Sequence, residues 1–497
     1  MTGRPFSERS LHFVGIGGAG MSGLALVAAE LGARVTGSDQ TESSYTRRLR
    51  AHGIEPAVGH DAAHLPLGAE VVISTAIPET NPELAAARAA GATILHRAEL
   101  LGEVSRLKRS IAVSGTHGKT TTCAMIVEAL VQTGRDPAYL VGGELLATHS
   151  NAGWGAGEWI VVEADESDRS FLHLARDVAV ITNTELDHLA TYRALSDLEE
   201  AFAAFAAPAG TRIAGPGVTL GDDLGGLQRG PVPPGDVGGL QRGAVPPGDV
   251  GGLHRGAVPP VDVGGLHRGA VPPSDVISYG IDSGDLRAEG LQLRPLGSGF
   301  TVEGVPVDLN VPGRHNVLNA LAALAACRAA GVELADAAPA LGSFAGTGRR
   351  FEERGTTARG ARVFDDYAHH PTEVRATLEA ARTLGARRVV ACFQPHLYSR
   401  TRKLARDFGR ALALADLAVV VDIYPARERA EDFPGVTGLL VAQATADAAG
   451  GRPVWWLPSM EAAAERLEAE LGEGDVLLTM GAGDVNRLAG ALTRERP

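Results

Sequence analysis

Short, unbroken apolar runs alternate along this chain with longer Ala- and Leu-rich stretches. Val71-Val72-Ile73-Ser74, Ser110-Ile111-Ala112-Val113, Ile160-Val161-Val162, Val389-Val390-Ala391-Cys392-Phe393 and Val476-Leu477-Leu478-Thr479 are such runs. None alternates with polar residues, so each predicts a strand covered by helices on both faces. Strand and helix in alternation build parallel sheets, and the predicted fold class is α/β. A chain of 497 residues exceeds what one hydrophobic core organises, which predicts about three domains.

One tract departs from the pattern. A unit of 13 residues repeats as GDVGGLQRGAVPP (235–247), GDVGGLHRGAVPP (248–260) and VDVGGLHRGAVPP (261–273), after a degenerate copy at 221–234. Gly and Pro dominate it while Leu and Val are sparse, so the units lack the apolar face that stacked repeats need. The expectation is a low-complexity insertion at about 224–273.

Two glycine turns carry candidate chemistry. Leu11–Val14 reads as a strand, Gly15-Ile16-Gly17-Gly18-Ala19-Gly20 as a GxGxxG turn and Met21–Leu31 as a helix. Such a turn lets backbone N–H groups and a helix N-terminus meet a pyrophosphate, and Asp39 ends the next strand within reach of a ribose or base. NAD, FAD and UDP-sugars all satisfy it, so a nicotinamide dehydrogenase is a rival reading here. The second turn, Gly115-Thr116-His117-Gly118-Lys119-Thr120, lies between a strand at 110–114 and a helix at 120–133. Backbone N–H groups, a lysine ammonium and a threonine hydroxyl in that setting cradle ATP phosphates and Mg²⁺. Its glycines are closer together than in GxxxxGK[ST]. Lys119 is one of only three lysines, with Lys108 and Lys403, among 46 basic residues. A compact ammonium in a tight turn has no guanidinium substitute.

Magnesium needs hard oxygen ligands at the ends of neighbouring strands. Glu163, Asp165, Glu166 and Asp168 follow one predicted strand, and Asp187 and His188 follow another that ends at Asn183, placing them on the same rim. The formal charge of -13 argues against a nucleic-acid partner. Cys123, Cys327 and Cys392 are too scattered for a disulfide framework or a thiolate cage and are expected to pack in cores. Arg4, Glu8 and Arg9 interrupt any cleavable signal, and glycines spoil the apolar stretch 11–32 as a membrane span. The expected setting is therefore cytoplasmic, without membrane insertion.

Taken together, GIGGAGMSG (15–23), GTHGKTTT (115–122), EADESDRSF (163–171), NTELDHLATY (183–192), GRHNVLNALAA (313–323), GRRFE (348–352), DDYAHHPTE (365–373), FQPHLYSRTR (393–402) and GAGD (481–484) resemble the Mur ligase family. They run in family order and leave only the repeat tract uncovered. The resemblance implies three domains: a UDP-substrate-binding, Rossmann-like domain at 1–106, a central P-loop ATPase domain at 107–345 and a Rossmann-like, amino-acid-binding closing domain at 346–497. The implied reaction is ATP-dependent joining of L-alanine to the lactyl carboxylate of UDP-N-acetylmuramate. It passes through an acyl phosphate and serves peptidoglycan precursor synthesis. A murein-peptide-recycling ligase acting on the same nucleotide is the alternative, and a non-catalytic nucleotide sensor is a third class.

Carried over by matching motif, the resemblance assigns UDP-substrate contacts to Gly17, Gly18, Ala19, Gly20, Met21, Ser22, Asp39 and Ser74. The ATP contacts are Gly115, Thr116, His117, Gly118, Lys119, Thr120, Thr121, Asn183, His315, Asn316, Asn319, Arg350 and Asp366. Mg²⁺ or Mn²⁺ falls to Thr120, Glu163 and His188, and catalysis to Lys119, His369, His396 and Arg400. Several members use a carbamylated lysine as an extra metal bridge, but no lysine lies between Lys119 and Lys403. A monomer or weak homodimer is expected.

Overall fold

The computed structural model describes residues 4–188, 191–220 and 276–493. The repeat tract lies outside the described residues. Most apolar runs become buried strands. In the first sheet five strands are all parallel, in the spatial order Ala57–Val58, Arg34–Asp39, Ser10–Val14, Glu70–Ile73, Ile94–His96. The glycine turn leaves Ser10–Val14 at the centre of this order, where crossovers diverge on both sides and a crevice opens.

The second sheet has eight strands, in the order Leu286–Arg287, Val276–Gly280, Thr211–Ala214, Val178–Ile181, Arg109–Ser114, Trp159–Glu163, Ala138–Leu145, Ser150–Trp154. Only the last pair is antiparallel. Both of its faces are covered. Ile111, Val113, Val161, Val178 and Val180 pack on the side of helices Lys119–Gln132 and Arg314–Ala329, while Ala112, Ile160, Val162, Ala179 and Ile181 face the other way. Full burial of both faces is what removes polar alternation from these strands. The second face is continuous with the first sheet's core, since Leu11, Phe13 and Leu24 belong to the same cluster.

A small antiparallel sheet, Glu289–Arg294, Gly297–Val302 and Val305–Leu309, precedes helix Arg314–Ala329. The last sheet has the order Glu352–Thr356, Arg362–Asp366, Asp475–Met480, Arg388–Phe393, Leu417–Val420, Val454–Trp456 and is parallel except at its first pair. The α/β expectation with parallel and mixed sheets therefore holds. Cys123, Cys327 and Cys392 are free and buried in these cores, as their scatter predicts.

Helix Leu195–Ala206 shows how one side face is locked. Its Phe205 is fully buried, stacked on Phe171 at 4.9 Å between ring centroids, with Phe202 edge-on to the same ring at 6.0 Å. Phe205→Ala is expected to cost about 3–5 kcal/mol through lost contacts and the cavity left behind. Denaturation midpoints of variant and wild type measure it, and a loss below ~1 kcal/mol contradicts this packing.

Candidate active site

Strand Arg109–Ser114 lies between Val178–Ile181 and Trp159–Glu163, so the three loops that follow these strands converge at one sheet edge. The loop from the middle strand is Gly115–Gly118. Gly115 has φ +122°, and a Cβ there would meet the Thr182 hydroxyl and backbone N at 2.1 and 2.8 Å. Gly118 caps helix Lys119–Gln132 in the left-handed region at φ +81°, with Asn319 Oδ1 2.4 Å from where a Cβ would stand. Both positions exclude side chains. Asn183 braces the turn: its Oδ1 accepts the His117 N–H at 2.9 Å and its Nδ2 donates to the His117 carbonyl at 2.9 Å. The Thr116 hydroxyl donates to the Glu185 carbonyl and accepts the Glu185 N–H, both at 2.9 Å.

Lys119 turns back into its own loop, donating to the carbonyls of Gly115 at 2.6 Å and Thr116 at 3.2 Å. Its Nζ lies 2.9 Å from Glu166 Oε2. Burial lowers the ammonium's pKa, but the charges of Glu166, Asp165 and Glu163 outweigh it and hold the pKa above its ordinary value. The carboxylates come from the loop after Trp159–Glu163. Glu163 accepts from Thr120 Oγ1 at 3.1 Å and from the Gly142 N–H at 2.7 Å. His188, in the left-handed region at φ +50°, places Nε2 3.3 Å from Glu166 Oε1. One ligand atom from each of Asp165, Glu166 and His188 lies within 4.8 Å of the others. Thr120 and Glu163 thus meet as the expected pair, while His188 stands with Asp165 and Glu166. A donor set of a hydroxyl, carboxylates and one imidazole fits Mg²⁺ or Mn²⁺.

The last sheet supplies the opposite wall. Helix Pro371–Arg382 begins on a His370 cap, with Pro371 in its first turn and Glu373 Oε2 accepting the His369 N–H at 3.0 Å. Glu373 Oε1 also sits 3.2 Å from His117 Nδ1, and Glu185 Oε2 sits 3.0 Å from His117 Nε2. Burial lowers the His117 pKa, yet these two carboxylates prevail and raise it to about 9. Thr372 Oγ1 donates to Glu185 Oε1 at 2.7 Å. Arg400 grips Asp187 through Nη2, 2.9 Å from each carboxylate oxygen, with both side chains buried. Asp187 thus links Arg400 to the rim, its Oδ2 lying 3.9 Å from His188 Nε2.

Between these walls lies a cavity of about 370 Å³. Of the residues expected around ATP, His117, Gly118, Thr121, Asn183, His315, Asn316, Asn319, Arg350 and Asp366 line it. Asn319 is also tied into helix packing, accepting from Thr122 Oγ1 at 3.3 Å and donating to Asn316 Oδ1 at 3.1 Å. Burial raises the Asp366 carboxyl to about 6 and lowers His315 to about 4. Glu185, Thr372, Glu373, Tyr279 and Phe344 also line the cavity and were not anticipated. Their partners are remote in sequence, and only the acidic run at 183–188 hinted at Glu185.

His369, His396 and Arg400 do come together. The two imidazoles are 5.9 Å apart, and Arg400 Nη1 is 3.3 Å from His396 Nδ1. Burial first, and Arg400 among the neighbouring charges, lowers His369 to about 3 and His396 to about 4. At the first sheet, Gly17–Ser22 run into helix Ala19–Glu30, and Ser74 follows the adjacent strand Glu70–Ile73. The Asp39 carboxylate accepts the Gly17 N–H at 2.8 Å and clamps the glycine turn. Met21 and Ser22 are buried, and Gly15, Ile16 and Gly18 also donate their N–H groups within the protein, which leaves the helix start at Ala19 and Gly20 as the ligand-facing donors.

A phosphate loop with an acidic rim, set between a glycine-turn sheet and a second parallel sheet, defines an ATP-dependent ligase class, and the comparisons agree. Family models match residues 10–109 (Mur ligase family, catalytic domain), 113–223 (Mur ligase middle domain) and 349–483 (Mur ligase, glutamate ligase domain). The chain belongs to the Mur ligase family, whose members are ATP-dependent ligases that form carbon–nitrogen bonds. It is 44% identical over 483 residues to the UDP-N-acetylmuramate–L-alanine ligase of Rubrobacter xylanophilus, covering 96% of this chain and 98% of that protein. The enzyme of the same name from Streptomyces coelicolor is 41% identical over 493 residues, covering 98% and 97%. A solved UDP-N-acetylmuramate–alanine ligase from Thermotoga maritima superposes with a TM-score of 0.76 at 27% identity, covering 97% of this chain and 98% of that one.

The His117 seam makes stability depend on pH in a defined sense. Its folded pKa of about 9 exceeds the ordinary 6.5, so the stabilisation is complete below 6.5 and disappears as pH rises through 9. The melting-temperature advantage of wild type over His117→Gln is expected to shrink across that window. An advantage that stays constant contradicts the seam.

Proposed function

We propose that this chain joins L-alanine to the lactyl carboxylate of UDP-N-acetylmuramate at the expense of ATP. The observation that carries the reading is Lys119 on a phosphate loop beside Glu163, Asp165 and Glu166, within a chain whose full-length relatives bear that name. The first sheet, at about 1–106, holds the UDP portion at the turn Gly17, Gly18, Ala19 and Gly20, with the N–H groups of Ala19 and Gly20 as donors, since Gly17 donates to Asp39 and Gly18 to the Gly15 carbonyl. The central part, at about 107–345, holds ATP, and the part from about 346 closes on it.

In this reading the ATP γ-phosphoryl group passes to a lactyl carboxylate oxygen and ADP leaves. Lys119 and the loop N–H groups of residues 118–120 neutralise the β- and γ-phosphates, and positioning does the rest. A Mg²⁺ or Mn²⁺ ion held by Thr120, Glu163 and His188, with Asp165 and Glu166 beside it, would offset repulsion between carboxylate and phosphate. The alanine amine then attacks the acyl carbon, the C–O bond to phosphate breaks, and the amine gives up a proton.

Both candidate bases are neutral near pH 7. His396 Nδ1 faces the Arg400 guanidinium at 3.3 Å, so its lone pair is engaged. His369 Nδ1 donates to the Tyr367 carbonyl at 3.0 Å, which leaves Nε2 as the open acceptor and favours His369 for the proton. Arg400, held by Asp187, offers its remaining donors to a substrate carboxylate.

The test is phosphate release from ATP with UDP-N-acetylmuramate, comparing L-alanine, glycine, L-serine, D-glutamate and a wall tripeptide. L-Alanine is expected to give the highest kcat/KM, and Lys119→Ala to lower kcat by about a thousandfold or more. A preference for the tripeptide supports the recycling alternative. Full activity in Lys119→Ala overturns the mechanism.

A further inference from the structure

The described residues hold a second group of metal-capable side chains besides the acidic rim: His117, Glu185 and His370. They come from three separate segments, namely the phosphate loop, the loop after strand Val178–Ile181 and the cap of helix Pro371–Arg382. His117 Nε2 is 3.0 Å from Glu185 Oε2, and His370 Nδ1 is 3.8 Å from Glu185 Oε1. One ligand atom from each lies within 4.8 Å of the other two. Metal–nitrogen and metal–oxygen bonds of about 2.1 Å in a tetrahedron put neighbouring ligands about 3.4 Å apart. The two measured separations fall on either side of that spacing.

The surroundings are arranged as a metal's outer sphere would be. Glu373 Oε1, 3.2 Å from His117 Nδ1, holds the ring with its other nitrogen turned toward Glu185. Thr372 Oγ1 steadies the Glu185 carboxylate with a 2.7 Å hydrogen bond. The His370 cap is loose, since its Nδ1 accepts the Thr372 N–H at 3.4 Å. Two imidazoles and one carboxylate suit a borderline ion, whereas Mg²⁺ prefers the oxygen-rich rim.

We propose that His117, Glu185 and His370 form a binding site for a transition-metal ion, with Zn²⁺ the best match, that displaces to solvent the proton His117 Nε2 shares with Glu185 and ties the phosphate loop to helix Pro371–Arg382. This site is separate from the Mg²⁺ rim in chemistry and in residues. Its occupancy fixes the two walls of the nucleotide cavity against each other.

Full-length, metal-free protein is titrated with Zn²⁺ against a chromophoric chelator, with Mg²⁺ in large excess. Binding rather than turnover is read, so the result is independent of the ligase reading. One tight equivalent is expected. His370→Asn keeps a capping side chain and is expected to weaken it by at least about tenfold. Glu185→Gln, on a partly exposed loop residue, is expected to do the same and decides the matter if His370→Asn melts early. His188→Ala is expected to leave the affinity unchanged. Absence of a tight equivalent, wild-type affinity in Glu185→Gln, or loss of the site in His188→Ala overturns the proposal.

Discussion

The largely desolvated ammonium of Lys119, its side chain 14% exposed, is the constraint around which the site is organised. A charge removed from water is tolerated only when paired, and here Glu166 meets it directly while Glu163 and Asp165 add their fields. That requirement accounts for the acidic loop directly after the strand that neighbours the phosphate loop. It also accounts for the tightness of the turn, whose carbonyls at Gly115 and Thr116 take the ammonium's remaining donors. A phosphate entering the loop exchanges these carbonyl contacts for its own oxygens, so the same positive charge that is balanced internally becomes the ligand's partner.

A second charge balance joins the remote part of the chain to this loop. His117 stands between Glu185 and Glu373, and Arg400 grips Asp187. Residues after 346 therefore complete the wall of the cavity proposed for the nucleotide, through Arg350, Asp366 and Glu373. Three of the non-glycine residues in the left-handed region, His188, Phe351 and Leu397, with φ between +50° and +68°, lie on the segments that form these walls. In the proposed reaction, a site that depends on two segments meeting would delay phosphoryl transfer until both substrates are bound.

Much of this was legible along the chain because its causes are local. Unbroken apolar runs such as Ile160-Val161-Val162 announced doubly covered strands, and the glycines at 115 and 118 announced a turn that no side chain could occupy. Nine of the residues that the matched motifs assign to ATP line one cavity. What stayed hidden depends on pairing across distance: Glu373 lies 256 positions from His117, and no periodicity reports that they touch. Local reading puts Asp39 within reach of a ribose or base and Asp187 on the acidic rim. It does not reveal that their carboxylates also hold the Gly17 N–H and the Arg400 guanidinium, partners fixed only by tertiary packing.

The central claim is that the loop, its lysine and its acidic rim serve phosphoryl transfer onto a carboxylate. Labelling the lactyl carboxylate of UDP-N-acetylmuramate with heavy oxygen and weighing the phosphate released during a complete reaction tests it most directly. The account predicts that a labelled oxygen leaves with each phosphate, because the acyl phosphate breaks at the acyl carbon. Unlabelled phosphate alongside normal amide formation would contradict it.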